Sequence, residues 1–220
     1  MLRRLNAARS LVALAGLSAL LLWGACSREP EAVGPLVMDQ NEHERWEIAL
    51  VEMRIEKNED FARPGTTPLA EEALPGFEGL NYYFPEPDLR FRPTLERAAG
   101  TDTVKLTRGK GDVVPYIRRG TVTFRHDGRN HRLAVFGQAD GGGDLWLPFY
   151  DPSNGPETYP GGRYLDLELA ADGTVDLDFN YAYNPYCDYD AERWNCTLPP
   201  VENTLSFPVA AGEKRFSGAH

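Results

Sequence analysis

Past residue 38 the apolar positions first recur at helical spacing. Trp46, Leu50 and Met53 share one face and charged residues the other, which predicts a single amphipathic helix over residues 40–60. Asp39 and Glu42 spell a capping box, the Asp39 carboxylate taking early N–H groups while Glu42 reaches back. Phe61 packs where the helix ends, before Pro64-Gly65 stops it. The apolar stripe reads as core-facing, not as a surface for a partner. Beyond it the alternation has period two, with no internal repeat and no second boundary. Residues 39–220 therefore read as one mainly β domain, a single antiparallel β-sandwich or partly closed barrel with one N-terminal amphipathic helix.

Two hairpins can be registered from their own alternation. Val122, Phe124, Leu133 and Val135 share a face if Gly128-Arg129 forms a two-residue turn with Gly first, as type II′ prefers. That register sets His126 opposite His131 and Arg125 opposite Arg132. Between Tyr164 and Asn180, a three-residue loop Ala171-Asp172-Gly173 with a left-handed Gly173 aligns the apolar sets. It opposes Leu165 to Phe179 and Leu167 to Leu177. On the reverse face it opposes Asp166 to Asp178 and Glu168 to Asp176, two like-charge pairs that need relief. Arg125 and Arg132 on the neighbouring hairpin are the expected counter-charges. A hard cation or a catalytic carboxyl pair is the alternative.

The chain's beginning reads as an address. Arg3, Arg4 and Arg9 precede the apolar run Leu11–Trp23, about 13 residues where a membrane span needs roughly 20. Gly24-Ala25-Cys26 then resembles the end of a bacterial lipobox, which makes residues 1–25 a lipoprotein signal peptide and Cys26 the lipidated residue. Residues 26–38 read as a tether. These features predict a protein anchored by lipid in the bacterial envelope and facing the periplasm, at the outer rather than the inner membrane.

Charge changes this picture in one respect. The 220 residues carry 23 basic and 33 acidic side chains, a net of -10 with pI near 4.9, which excludes an ordinary nucleic-acid binder. Without residues 1–25 and their three arginines the balance is 20 against 33. A surface so acidic repels anionic headgroups, so membrane contact is expected from the anchor alone. Export also favours a disulfide between Cys187 and Cys196, worth about 2–3 kcal/mol. A zinc site would lack two ligands, and no cofactor or metal is expected. Gly141-Gly142-Gly143 lacks the Lys-Ser/Thr of a phosphate loop, Ser153 lacks a nucleophile elbow, and His126 with His131 reads as a surface pair.

The last third carries the most distinctive text. It includes Glu157-Thr158-Tyr159, Gly162-Arg163-Tyr164-Leu165-Asp166, Leu177-Asp178-Phe179-Asn180, Ala182-Tyr183-Asn184-Pro185, Cys187, Cys196, Leu198-Pro199-Pro200 and Glu202-Asn203. Upstream stand Thr67-Pro68-Leu69 and Phe77-Glu78-Gly79-Leu80-Asn81-Tyr82-Tyr83. With these words the chain resembles the DUF1684 family of bacterial proteins, over nearly all of its length after the tether. The resemblance implies membership and brings no activity with it.

The same residues suggest a binding site. Arg163 offers a planar fork for a carboxylate or phosphate, and Tyr159 and Tyr183 offer flat faces with polar handles. Asp178, Asn180, Asn184, Glu202 and Asn203 add directional hydrogen bonds. Converging at strand ends, they would bind a small polar or anionic ligand. The alternatives are an enzyme, either a hydrolase with an Asp/Glu cluster or a thiol–disulfide catalyst using Cys187 and Cys196, and a non-catalytic assembly or structural lipoprotein. The binding function requires that Arg163 be open to solvent.

Overall fold

The computed structural model describes residues 31–139 and 142–218. The leader 1–25, Cys26 and the start of the tether lie outside them. One helix and eight strands follow in order: α1 (Gln40–Phe61), β1 (Arg90–Phe91), β2 (Glu96–Arg97), β3 (Thr103–Thr107), β4 (Val113–His126), β5 (Arg129–Gln138), β6 (Leu145–Phe149), β7 (Arg163–Leu167) and β8 (Leu177–Asp178). The predicted capping box is formed, Asp39 accepting from the Glu42 N–H and Glu42 from the Asp39 N–H, both at 2.9 Å. Trp46, Leu50 and Phe61 are buried and Met53 partly so, while Ile48, Val51 and Ile55 stay exposed on the far side.

The strands are antiparallel, and the fold is mainly β as expected. Six of them form an open sheet in the order β2-β4-β5-β6-β7, with β3 sharing the β4 edge. Among the described residues no barrel closes. One face carries Val122, Phe124, Leu133, Val135, Leu147 and Leu165 against a second layer of β1, β8 and the segment around Leu205–Ala211. The other face holds a smaller cluster of Leu106, Ala134 and Phe136, with Tyr116 stacked on Trp146 at 4.9 Å.

Both hairpin registers need correction. In β4–β5, Val122 faces Leu133 and Phe124 faces His131, so the turn is Asp127-Gly128. Both turn residues have positive φ, 48° and 72°, the type I′ geometry whose twist suits a two-residue hairpin. The slip is two residues, so the same side chains still reach the core. His126 and His131 are not opposed: His131 Nε2 lies 3.4 Å from the His126 carbonyl, and both rings pack on Phe207, at 4.4 and 4.8 Å.

The second hairpin is right only at its turn. Leu169 bridges Val175, and Gly173 is left-handed with φ 84°. Beyond that the strands part: β7 pairs with β6 and β8 pairs with β1. Asp166 therefore faces Trp146, and Asp178 faces Arg90. The acidic ladder does not exist. Arg90 supplies the counter-charge instead, its guanidinium 2.8 Å from Asp178 and 3.3 Å from Asp176. Arg125 reaches only the Gly128 carbonyl, at 3.4 Å, and Arg132 pairs with Glu96 at 3.2 Å.

The stretch read as tether is bound from Val33 onward. The Val33 carbonyl accepts from the Arg125 N–H at 2.7 Å, extending the β4 edge, and the Leu36 N–H donates to the Arg90 carbonyl at 2.7 Å. Arg90 thus joins the N-terminal segment, α1 and β8. Trp46 of α1 donates to Asp178 at 2.7 Å and lies 5.1 Å from the Arg90 guanidinium. Arg90→Met should cost about 3–5 kcal/mol, because Asp178 keeps its buried charge and loses its cation. Urea unfolding measures it. A loss under about 1 kcal/mol, the size of a surface pair, would show that Arg90 does not hold these segments together.

Candidate functional site

Arg163 opens β7, where the strand feeds the chain into the sheet. Its side chain is 0% exposed. One terminal nitrogen donates to the Asp151 carboxylate at 2.9 Å, the Val209 carbonyl at 2.7 Å and, more weakly, Ser153 Oγ at 3.4 Å. The other donates to the Ala211 carbonyl at 2.5 Å and reaches the Glu213 carbonyl at 3.4 Å. Nε has no partner among the described residues, and the fork lies over the Phe149 ring at 5.3 Å. Asp151 is held in turn by the N–H groups of Ser153 and Val209, at 2.8 and 3.1 Å. No solvent-borne anion reaches this guanidinium. The expected anchor of a ligand is a fastener between the loop after β6 and the C-terminal segment.

The other candidates do not gather around it. Asn203, fully buried, accepts from the Ala134 N–H and donates to the Ala134 carbonyl, both at 2.8 Å, and donates to Pro148 at 2.7 Å. Its amide copies one residue of a strand, which a short side chain with one acceptor and two donors can do. Asn180 does the same for Glu86, accepting at 2.7 Å and donating at 2.8 Å, and its Nδ2 and N–H both bond Asp178. Burial pushes the Asp178 carboxyl up, against the pull of these donors and of Arg90. Tyr183 donates to Asp166 at 3.0 Å, and burial raises its phenol. Tyr159 is partly buried. Glu202 is exposed and pairs with Arg118 of β4.

Asn184 leads to a second buried centre that sequence reasoning missed. Its N–H donates to Glu213 at 2.8 Å, and its amide donates to Asp188 and to the Lys214 carbonyl, both at 2.9 Å. Glu213, 2% exposed, also takes Tyr189 at 2.6 Å and the Lys57 ammonium of α1 at 2.5 Å. Asp188 accepts the Phe216 N–H at 2.8 Å, with Arg215 3.9 Å away. Burial, with repulsion from Glu213, pushes the Asp188 carboxyl up to about 6. A lone acid after Ala-Ala-Gly in an apolar segment was the available signal for Glu213. For Asp151 it was the turn text Asp-Pro-Ser-Asn-Gly.

Cys187 and Cys196 form the expected disulfide. Asp188, the next residue, is acidic and buried, the reverse of the electropositive surroundings that lower a thiol's pKa. Among the described residues no three His, Cys, Asp or Glu side chains are grouped to hold a metal. A cleft of about 1110 Å³ lies elsewhere, between the turns after α1 and residues 189–193. Glu71, Glu72, Asp190 and Glu192 line it against one cation, Arg193, a net charge opposite to that of an anion site, and none of the eight candidate ligand residues does.

Comparison with known proteins places the chain in a family. The family model described as a protein of unknown function (DUF1684) matches residues 75–214. An uncharacterised protein of Haloarcula marismortui, solved in solution by NMR, is similar in structure: TM-score 0.63 and 36% identity, covering 80% of this chain and 97% of that one. No curated protein matches.

The raised Asp188 carboxyl sets a pH dependence. The folded state holds its proton between about pH 4 and 6 where the unfolded chain has released it, so stability falls as pH rises through that window. The loss is at most about 3 kcal/mol. Urea midpoints at pH 4.5 and 7 should show it, and Asp188→Asn should flatten the difference. An unchanged pH slope in that variant would refute the assignment. Separately, reduction of the disulfide should cost about 2–3 kcal/mol by loop entropy, read as a fall in melting temperature with a reductant.

Proposed function

The chain belongs to the DUF1684 family, and on that premise we propose that it is an exported, lipid-anchored envelope domain that performs no covalent chemistry itself. The observation that supports this is the sealed state of Arg163. With the guanidinium interior, the polar words of the last third serve the architecture, and neither a small anion nor a substrate has a cationic handle there. The acidic residues that alternation set face to face are dispersed, Asp166 on Tyr183 and Asp176 with Asp178 on Arg90. The disulfide supports an oxidising compartment. Among the described residues no helix is long and apolar enough to cross a membrane. Attachment then falls to Cys26, whose lipobox-like context is the reason for assigning it.

Two measurements test this reading. Growth of a bacterial host with an alkyne-bearing fatty acid should label the wild-type chain and leave Cys26→Ala unlabelled; no label on the wild type removes the anchor. In a thermal-shift series with phosphate, acetate and citrate, the melting temperature should stay flat. A ligand at a hundredfold excess over its Kd would add about 2.7 kcal/mol. A saturable rise abolished by Arg163→Lys would reinstate an anion site and overturn the proposal.

A further inference from the structure

Charge is not spread evenly over this acidic protein. The hairpin β4–β5, residues 113–138, carries five arginines against Asp127 alone. The helix α1 carries seven acidic and three basic side chains. The hairpin and the helix thus carry net charges of opposite sign. The N-terminal segment joins the fold at the basic hairpin, where Val33 pairs with Phe124 and its carbonyl takes the Arg125 N–H. Val33 stands only seven positions after Cys26. A chain of that length spans at most about 25 Å. If Cys26 is acylated, as the proposed function holds, Val33 and the adjoining Phe124 of the hairpin cannot drift farther than that from the bilayer.

At that end the side chains face water and stay cationic. Arg125, Arg129 and Arg132 are exposed. Glu96 offsets Arg132, and Asp127 sits 3.6 Å from His126. Among the described residues the Arg125 fork has one hydrogen bond, to the Gly128 carbonyl at 3.4 Å, and the side chain is exposed. A positive hairpin tip within tether reach of a bilayer fits phospholipid phosphates, each nearby basic residue strengthening the attraction about fivefold.

We propose that the β4–β5 hairpin tip, through Arg125 and Arg129, is a membrane-facing surface that binds anionic phospholipid headgroups. The expectation that contact comes from the anchor alone, drawn from net charge, is revised: the mean is acidic, and Glu31 and Asp127 lie nearby, yet the hairpin tip itself carries more arginine than acid. This rests on the anchored reading for its geometry, and the test separates the two.

The full chain, purified from bacterial membranes, is mixed with vesicles of phosphatidylcholine alone or with about 30% phosphatidylglycerol added, enough anionic lipid for a surface potential. Amide exchange over residues 124–132 should slow about fivefold on the anionic vesicles relative to the neutral ones. High salt should erase the difference, as it screens exposed charge. The double variant Arg125→Gln, Arg129→Gln should erase it too, while keeping its melting temperature. Equal exchange on both compositions overturns the proposal. A chain that floats with neither vesicle has no anchor, and sedimentation with purely anionic vesicles then decides. Salt-sensitive binding weakened about 25-fold in the double variant upholds the surface; no binding overturns it.

Discussion

A guanidinium without water must be given oxygens, and the C-terminal third of this protein is arranged around that demand. Moving such an ion inside costs several kcal/mol unless hydrogen bonds replace its hydration. At Arg163 the replacement comes from Asp151, Ser153 and the carbonyls of Val209 and Ala211, four points on two loops that one bridge at Tyr150 and Thr204 also joins. The loop after β6 and the chain from Leu205 are therefore held by this side chain together with the backbone bonds of Tyr150 to Asn203 and Leu205, both at 2.8 Å. Arg is suited to this because its planar fork bonds several acceptors at once and keeps its charge.

The same principle recurs wherever the backbone leaves the sheet. Buried N–H and C=O groups must be paired, and irregular segments have no ladder to do it. Asn203 stands in for a strand residue against Ala134, and Asn180 against Glu86. Glu213 collects the Asn184 N–H, Tyr189 and Lys57, fixing the end of α1 to the turn that carries the disulfide. Arg90 with Asp178 and Trp46 fixes its beginning. Helix and sheet are joined by polar bonds at both ends, with Leu50 buried between them. Residue types that commonly mark a binding site make these internal hydrogen bonds.

What remains for interaction is the surface, and its charge is polarised. The N-terminal segment enters beside the arginine-rich hairpin and leads on into the acidic helix. Net charge averages over this and hides it. Electrostatics act within about a Debye length, so local sign near a membrane outweighs the total.

The sequence by itself determined the elements whose causes are local. The capping box at Asp39 and Glu42 started α1 where predicted, Gly173 took its left-handed turn, and Cys187 and Cys196, nine positions apart, closed their loop. Alternation assigned the core faces of β4, β5 and β7 correctly. It could not choose the hairpin register, because a shift of two residues leaves every side chain on the same face, and His126-Asp127-Gly128-Arg129 contains the signals of two different turns. Nor could it tell that β8 would leave β7 for β1, a strand far back along the chain. Whether Arg163 met solvent or Asp151 was likewise decided only when distant segments closed over it, since one side chain serves equally in a cleft or a core and the difference lies in what surrounds it.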